Sequence, residues 1–512
     1  MDYIEQKIPP IREDRLKACM AYGGSCEEIN RDAKKGCLYN NNRKFSQSQG
    51  CQLTLSLAIL NTIRDSVIIV HSPIGCGANL VAQAGVSKGF QKLRDPNAFG
   101  LRWINTNLNE IDVINGGEDK LREAVLYAEA EYRPRAIIIM NSCVPALIGD
   151  DIEAVLDDLR PQVSARLVPI HCEGFRTKIQ ATAYDSVYHG ILRNLVGDEY
   201  RSEELIEPLF PDEAEELKRQ YKISRTVNIL NVSSMSRTDE QNLIDLLAPL
   251  ELNIRVLPCY SHPDDFADSF EAALNVSICA THDDYFAGHM LTGYNVPFIL
   301  RTIPIGVANT NKWILDIADF FDLREKAEQI IRNEVIELEK AIAPYKEILK
   351  GKTVILGGGE IRIITMAELL HSLGMEVLGL RGFHFDQYGE NLLAELIEEV
   401  PESERVIMNV GTGQPFEQAN LLHKYRPDLF VGHPGGNGWA NKQGIPVFPL
   451  FGQAFQYMGY IGVYEIARRL ARFLQNTNYS KNIGRHARLP YRESWYDEEP
   501  FAYINQEEEV QA

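Results

Sequence analysis

Five cysteines fall directly after short apolar runs. Cys76 follows Ser66–Val70 through His71-Ser72-Pro73-Ile74-Gly75-Cys76-Gly77, and Cys143 follows Ala136–Met140. Cys172 follows Arg166–Ile170, Cys259 follows Ile254–Leu257, and Cys279 ends Val276–Ile278. Runs of this kind read as buried parallel strands, and open parallel sheets bind ligands beyond the carboxyl ends of their strands. Thiolates are soft ligands, and several of them arriving from different strand ends suit iron–sulfur chemistry. A free Cys is also among the most often buried residues, so each taken singly reads as a structural thiol. Cys51, Cys76 and Cys143 escape that reading as a group, because each has a Gly or Pro nearby (Gly50, Gly75 and Gly77, Pro145) where backbone can approach a ligand. Cys19, Cys26, Cys37 and Cys259 are assigned no ligand role, and each reads as a buried structural thiol. No Cys-x-x-Cys occurs, which excludes a zinc ribbon or a thioredoxin-type site.

Weaker signals surround these. Gly357-Gly358-Gly359 follows the run Thr353–Leu356, where it would cradle an anion at a helix start, without the spacing of a dinucleotide fingerprint. Gly435-Gly436-Asn437-Gly438 after His433 reads equally as a turn. His282 and His289 flank Tyr285 on one helical face. No Gly-x-x-x-x-Gly-Lys-Ser/Thr run exists, so hydrolysis of ATP by this chain is not expected.

The elements that must position these residues alternate in type. Further apolar runs lie at Val227–Leu230, Thr353–Leu356, Glu376–Leu380, Arg405–Val410, Asp428–Val431 and Pro446–Leu450. Amphipathic helix candidates lie between the runs, among them Gly117–Ala130, Asp239–Leu247 and Met366–Leu373. Strands alternating with helices predict an α/β fold with parallel sheets. The 512 residues suggest three domains, placed at 1–215, 216–350 and 351–512. The acidic stretch Glu203–Arg219 is the first boundary, and Lys312–Leu349 reads as one long connecting helix. The head, residues 1–65, reads as polar and irregular; the charged tail, 476–512, reads as loosely ordered or wrapped on a partner. A net charge of −19 argues against nucleic-acid binding. The longest apolar stretch, Ala136 to Gly149, is broken by Asn141, Ser142 and Pro145, so no membrane span is expected. The start Met1-Asp2-Tyr3-Ile4-Glu5 does not resemble a secretion signal, and a reduced, cytoplasmic setting is expected.

Longer motifs carry a resemblance. Gly50-Cys51, His71-Ser72-Pro73-Ile74-Gly75-Cys76-Gly77, Gly116-Gly117-Glu118-Asp119-Lys120-Leu121, Cys143-Val144-Pro145-Ala146-Leu147-Ile148-Gly149-Asp150-Asp151-Ile152 and Cys172-Glu173-Gly174-Phe175-Arg176 together resemble the nitrogenase α (D-type) chain. The similarity runs on through Cys279, Tyr285, His289 and Pro297 to Gly444-Ile445-Pro446, roughly residues 45 to 475. The resemblance implies three Rossmann-like α/β domains around a metal-cluster site. It implies that Cys51, Cys76 and Cys143 are the α-chain ligands of a P-cluster-type 8Fe-7S cluster shared with a β (K-type) subunit in an α2β2 heterotetramer. It implies that Cys279 anchors a large iron–sulfur cofactor whose heterometal and homocitrate the sequence does not specify. Electrons would come from a separate ATP-dependent 4Fe-4S reductase (H-type) homodimer.

The departures from the nitrogenase pattern are specific. Where nitrogenase has a His after Gly-Ile-Pro, this chain reads Val447-Phe448-Pro449-Leu450-Phe451-Gly452-Gln453; His433 is the nearest substitute as second ligand. Gln180 matches a family Gln beside the cofactor, but Tyr184 stands in the place of a proton-delivering His and Ala84 in the place of an Arg. In the loop of Gly358 and Gly359, taken as cofactor-binding, the family Arg is displaced to Arg362. A pocket less basic and more apolar suits an organic substrate better than a small gas. Among nitrogenase-like enzymes this is similar to the methylthio-alkane reductases, which release methanethiol and a hydrocarbon by cleaving a carbon–sulfur bond. Gln180, Tyr184 and His289 are the expected proton donors or positioning groups. The alternatives are a nitrogenase α chain that reduces dinitrogen and a scaffold on which the cofactor is assembled. The smaller tetrapyrrole-reducing relatives lack a Cys like Cys279.

Overall fold

The computed structural model describes residues 18–36, 38, 41–47, 51–98, 100, 102–175, 179, 181–197, 213–231, 235–301, 303–432 and 437–505. The chain divides into two compact units. The first is formed by Gly50–Ser233 with Glu251–Leu300, and the second by Glu13–Gln49, Ser234–Leu250 and Arg301–Ala512.

Unit one contains two four-stranded parallel sheets. In the first the order is Trp103–Asn105, Ser66–His71, Ala136–Asn141, Arg166–His171. Ala136–Asn141 is buried at every position, as a central strand covered on both faces must be. On one face Val67, Ile69, Ile137 and Ile139 pack with Leu121, Val125 and Leu156 of the flanking helices. Each such side chain contributes about 1.5–3 kcal/mol by leaving water. The register pairs His71 with Asn141 and Asn141 with His171, so the three strands end level. The loops carrying Cys76, Cys143 and Cys172 therefore leave the sheet at one end. The second sheet has the order Phe298–Ile299, Leu274–Ser277, Thr226–Asn231, Asn253–Pro258, and Cys279 follows its second strand.

Unit two is built on a six-stranded sheet. Tyr22–Ser25 lies at one edge, followed by Ile407–Val410, Glu376–Gly382, Thr353–Gly358, Leu429–Gly432 and Val447–Pro449. All pairs are parallel except the first. The α/β class with parallel sheets is thus the fold the chain adopts, and each apolar run read from the sequence lies on a strand within a few residues.

Three expectations need correction. The described part of the head is not irregular: besides the strand Tyr22–Ser25 it forms the helices Cys26–Ala33 and Gln52–Leu60. Gly23 belongs in that strand because a Cβ there would overlap the ring of Phe501. The segment Lys312–Leu349 is two helices, Val307–Phe320 and Arg324–Leu349, interrupted where Asp322 takes φ 57°. The tail through residue 505 packs on its own chain: it forms the helix Asn478–His486, and Trp495 and Tyr503 pack against Phe416. The acidic stretch Glu203–Arg219 lies partly outside the described residues, and from Glu213 it is helical.

Candidate functional site

Cys76 sits in the first turn of the helix Ile74–Lys92, Cys143 opens the helix Cys143–Ile148, and Cys51 is the N-cap of Gln52–Leu60. Gly174 shows that two of these thiols meet. Its N–H donates to Cys143 Sγ at 3.2 Å, and a Cβ built on it would lie 2.9 Å from Cys51 Sγ. The turn that presents Gly174 is tied down from beneath. Glu173 is fully buried, accepts from Asn141 Nδ2 at 3.3 Å and lies 3.2 Å from His171 Nδ1. Burial, and then the neighbouring Cys143 and Cys51 sulfurs, push the Cys76 thiol up from its ordinary value. Those electrostatic neighbours place Cys76 in the same group. Among the described residues these thiols are not a set whose ligand atoms all lie within 4.8 Å of one another, so they do not close on one ion. A ligand that engages all three is larger, as an iron–sulfur cluster is, and the residues fit one. Cys51 is exposed and Cys76 and Cys143 are half-buried, so the thiols open toward the surface. Ile74, Leu147 and Phe175 beside them are 60%, 70% and 52% exposed.

Cys172 is different. It is buried and its Sγ contacts the Asn141 carbonyl at 3.3 Å, a packing role within the same turn. Cys19, Cys26 and Cys259 are buried as expected, and burial pushes the Cys19 and Cys26 thiols up to about 12. Cys37 lies outside the described residues.

Cys279 is the buried N-cap of the helix Ala280–Tyr294. Its N–H donates to Ser277 Oγ at 2.8 Å, and Ser277 donates in turn to Asp283 Oδ2 at 2.6 Å. Asp283 Oδ1 accepts from Tyr188 Oη at 2.9 Å. Burial and then the Asp283 carboxylate hold the Tyr188 phenol well above its usual value, so it stays a donor. Sequence reasoning missed this chain of four residues. The signal was there as Ser277-x-Cys279-x-x-x-Asp283, a hydroxyl and a carboxylate bracketing the thiol at a helix start.

Of the expected proton donors, Tyr184 is buried and packs against His282, ring centroids 4.2 Å apart and planes tilted by 48°. His282 lies in the first turn of the Cys279 helix. His289 is exposed two turns on, its ring 4.4 Å from Tyr285. The Tyr285 hydroxyl lies 2.8 Å from Nδ1 of His189, a residue not anticipated. Desolvation lowers the pKa of both His189 and His289, so each is neutral at pH 7 and can pass a proton either way. Gln180 and His433 lie outside the described residues.

Gly358 and Gly359 belong to unit two. A Cβ at Gly358 would sit 3.2 Å from the Phe451 ring, and one at Gly357 2.8 Å from Phe430. Close ring packing accounts for these two glycines. Phe451, in the stretch after Gly444-Ile445-Pro446 that holds no His, is buried at φ 65°.

Comparison with known proteins adds the lineage. The profile described as nitrogenase component 1 type oxidoreductase matches residues 51–475. The nitrogenase iron-molybdenum cofactor biosynthesis protein NifE of Rippkaea orientalis is 27% identical over 465 residues, covering 85% of this chain and 90% of that protein. The nitrogenase molybdenum-iron protein alpha chain of Methanothermobacter thermautotrophicus is 25% identical, covering 91% of this chain and 92% of its own. The solved structure "Nitrogenase Cp1 at pH 5" superposes with a TM-score of 0.69 at 21% identity, over 88% of this chain and 93% of that one. At that identity the superposition establishes the fold alone.

Proposed function

The chain belongs to the family of nitrogenase component 1 type oxidoreductases, and on that premise we propose that it is the catalytic α subunit of a nitrogenase-like reductase that cleaves the carbon–sulfur bond of methylthio-alkanes. The reaction is R–S–CH3 + 2 e− + 2 H+ → R–H + CH3SH. An ATP-dependent 4Fe-4S reductase homodimer supplies the electrons. Cys51, Cys76 and Cys143 hold a P-cluster-type cluster completed by a β subunit, in an α2β2 assembly. The exposed apolar side chains Ile74, Leu147 and Phe175 around those thiols support a protein cover. Cys279 holds a larger iron–sulfur cofactor, and His433, Gly358 and Gly359 remain its proposed further contacts. Such clusters, when bound, store low-potential electrons and offer iron to a thioether sulfur.

The observation that carries the reading is Tyr184 packed at a tilt against His282 at the start of the Cys279 helix. Two packed aromatic rings at that position favour an alkyl sulfide over dinitrogen. Tyr184 Oη is the proposed proton donor. Tyr285, bonded to His189 and packed on the exposed His289, is half-buried in the second turn of the helix and in this reading exchanges protons with solvent through them. Gln180 completes the positioning set. The Tyr188–Asp283–Ser277 chain keeps the backbone of Cys279 in place.

A second reading is supported by the similarity to cofactor biosynthesis proteins and by the stretch Val447 to Gln453, which holds no His. In it the chain is a scaffold that passes its cofactor on. The deciding experiment is anaerobic purification with the β partner, followed by turnover with reductase, ATP and dithionite. Methanethiol and hydrocarbon from a methylthio-alkane, without ammonia from dinitrogen, is the expected result. Ammonia would mean a nitrogenase. Neither product at full iron content would select the scaffold.

A further inference from the structure

We propose that Glu360, His384 and Asp386 bind one divalent first-row transition-metal ion, in a mononuclear site without thiolates. Glu360 opens the helix Glu360–Ser372 directly after the strand Thr353–Gly358. His384 and Asp386 follow the neighbouring strand Glu376–Gly382. The two strands are parallel with Gly358 opposite Gly382, so the three residues leave the sheet side by side. His384 Nε2 lies 3.1 Å from Glu360 Oε1 and 3.6 Å from Asp386 Oδ2, and all three ligand atoms lie within 4.8 Å of one another. Ligands at about 2.1 Å from a common ion are about 3.0 Å apart in a cis octahedral arrangement and about 3.4 Å apart in a tetrahedral one. The spacing matches either.

The surroundings look built for this. Glu360 and His384 are 1% and 7% exposed. His384 Nε2 is buried and, despite the short distance, makes no aligned hydrogen bond. Asp386 commits Oδ1 to the N–H groups of Tyr388 at 2.9 Å and Gly389 at 3.3 Å, which orients Oδ2 toward the imidazole. Gly389 admits Glu360: a Cβ there would stand 2.8 Å from Glu360 Cγ. Two carboxylates balance a dication, and an imidazole with two carboxylates suits zinc, manganese, iron(II) or cobalt. Without a metal, burial opposes charging His384, but Glu360 and Asp386 overcome it and push its pKa up to about 10. The competing structure is therefore a fixed imidazolium between two carboxylates, and the test must separate a proton from a metal.

Cobalt(II) is the probe, because iron also resides on the thiols. The full-length chain is equilibrated with cobalt, desalted, and analysed for cobalt and iron alongside its visible spectrum. One cobalt per chain is expected. Glu360→Gln and Asp386→Asn keep shape and helix cap, and each should weaken cobalt binding about tenfold or more while iron is unchanged. Cobalt binding should persist in Cys279→Ser and Cys51→Ser. X-ray absorption of the wild-type cobalt form, which needs no variant, should show imidazole and oxygen ligands without sulfur. No cobalt in the wild type, equal retention in both carboxylate variants, loss with either Cys variant, or sulfur in the absorption spectrum would each overturn the proposal.

Discussion

At Gly174 the proposed cluster site depends on an atom that is not there. Its backbone N–H reaches Cys143 Sγ while the missing Cβ leaves room for Cys51 Sγ. Gly174→Ala should push the Cys51 thiol aside and lower the affinity for iron by about tenfold or more, read as iron retained after anaerobic desalting. Gly75→Ala is the control. Nothing lies within 4 Å of a Cβ there, and iron should be unchanged. Glu368 supplies a second prediction at this scale. Burial, and then the Glu399 carboxylate, raise its pKa to about 7. A carboxyl whose folded pKa lies above its unfolded value adds stability below the unfolded value, near 4.5. That contribution is lost as pH rises through about 7. Glu368→Gln should therefore match the wild type near pH 5 and exceed it at pH 8 by about 1–3 kcal/mol, measured by chemical denaturation.

At the scale of elements, a buried hydrogen bond from Tyr188 to Asp283 helps join the helix Ala280–Tyr294 to the helix Thr182–Asn194. Asp283 also accepts from Ser277, which in turn accepts the Cys279 N–H. Tyr188→Phe removes a donor from a buried carboxylate and should cost about 1–3 kcal/mol. It should also broaden the spectroscopic signature of whatever Cys279 holds, which loss of packing elsewhere would not do. Electron paramagnetic resonance of the reduced complex checks this. The strand ends were legible in the sequence, because Ile and Val runs bounded by Gly and Pro have few other uses. The edge strand Tyr22–Ser25 was not legible. Its Gly23 and Gly24 lower strand propensity, and they are required by the Phe501 ring and Glu28, contacts distant or local that no periodicity reports.

For the whole molecule, the tail shows how far composition misleads. It is charged, yet Trp495 packs on Phe416 at 4.8 Å and on Tyr503 at 5.9 Å, and Phe416 also meets Phe45 at 6.3 Å. The Lys44 N–H donates to the Tyr503 carbonyl at 2.9 Å, and Asn420 donates to the Trp495 carbonyl. Trp495→Ala should cost unit two about 2–3 kcal/mol and expose residues 41–47 to hydrogen exchange, with unit one unaffected.

The sequence by itself determined the α/β class, the positions of the strands, and which cysteines end them. These are local properties: apolar runs, breakers and the residue after each run. It also carried the resemblance that the family match bears out. It did not determine that Gly174 joins two thiols, that Asp283 holds Cys279 through Ser277, or that Glu360 meets His384 and Asp386. Each of those depends on which strands lie side by side and on their register, a choice made by the packing of the whole sheet rather than by any segment. Parallel neighbours are far apart in the chain, so the side chains that converge at their ends are strangers in sequence and become a site only when the sheet forms.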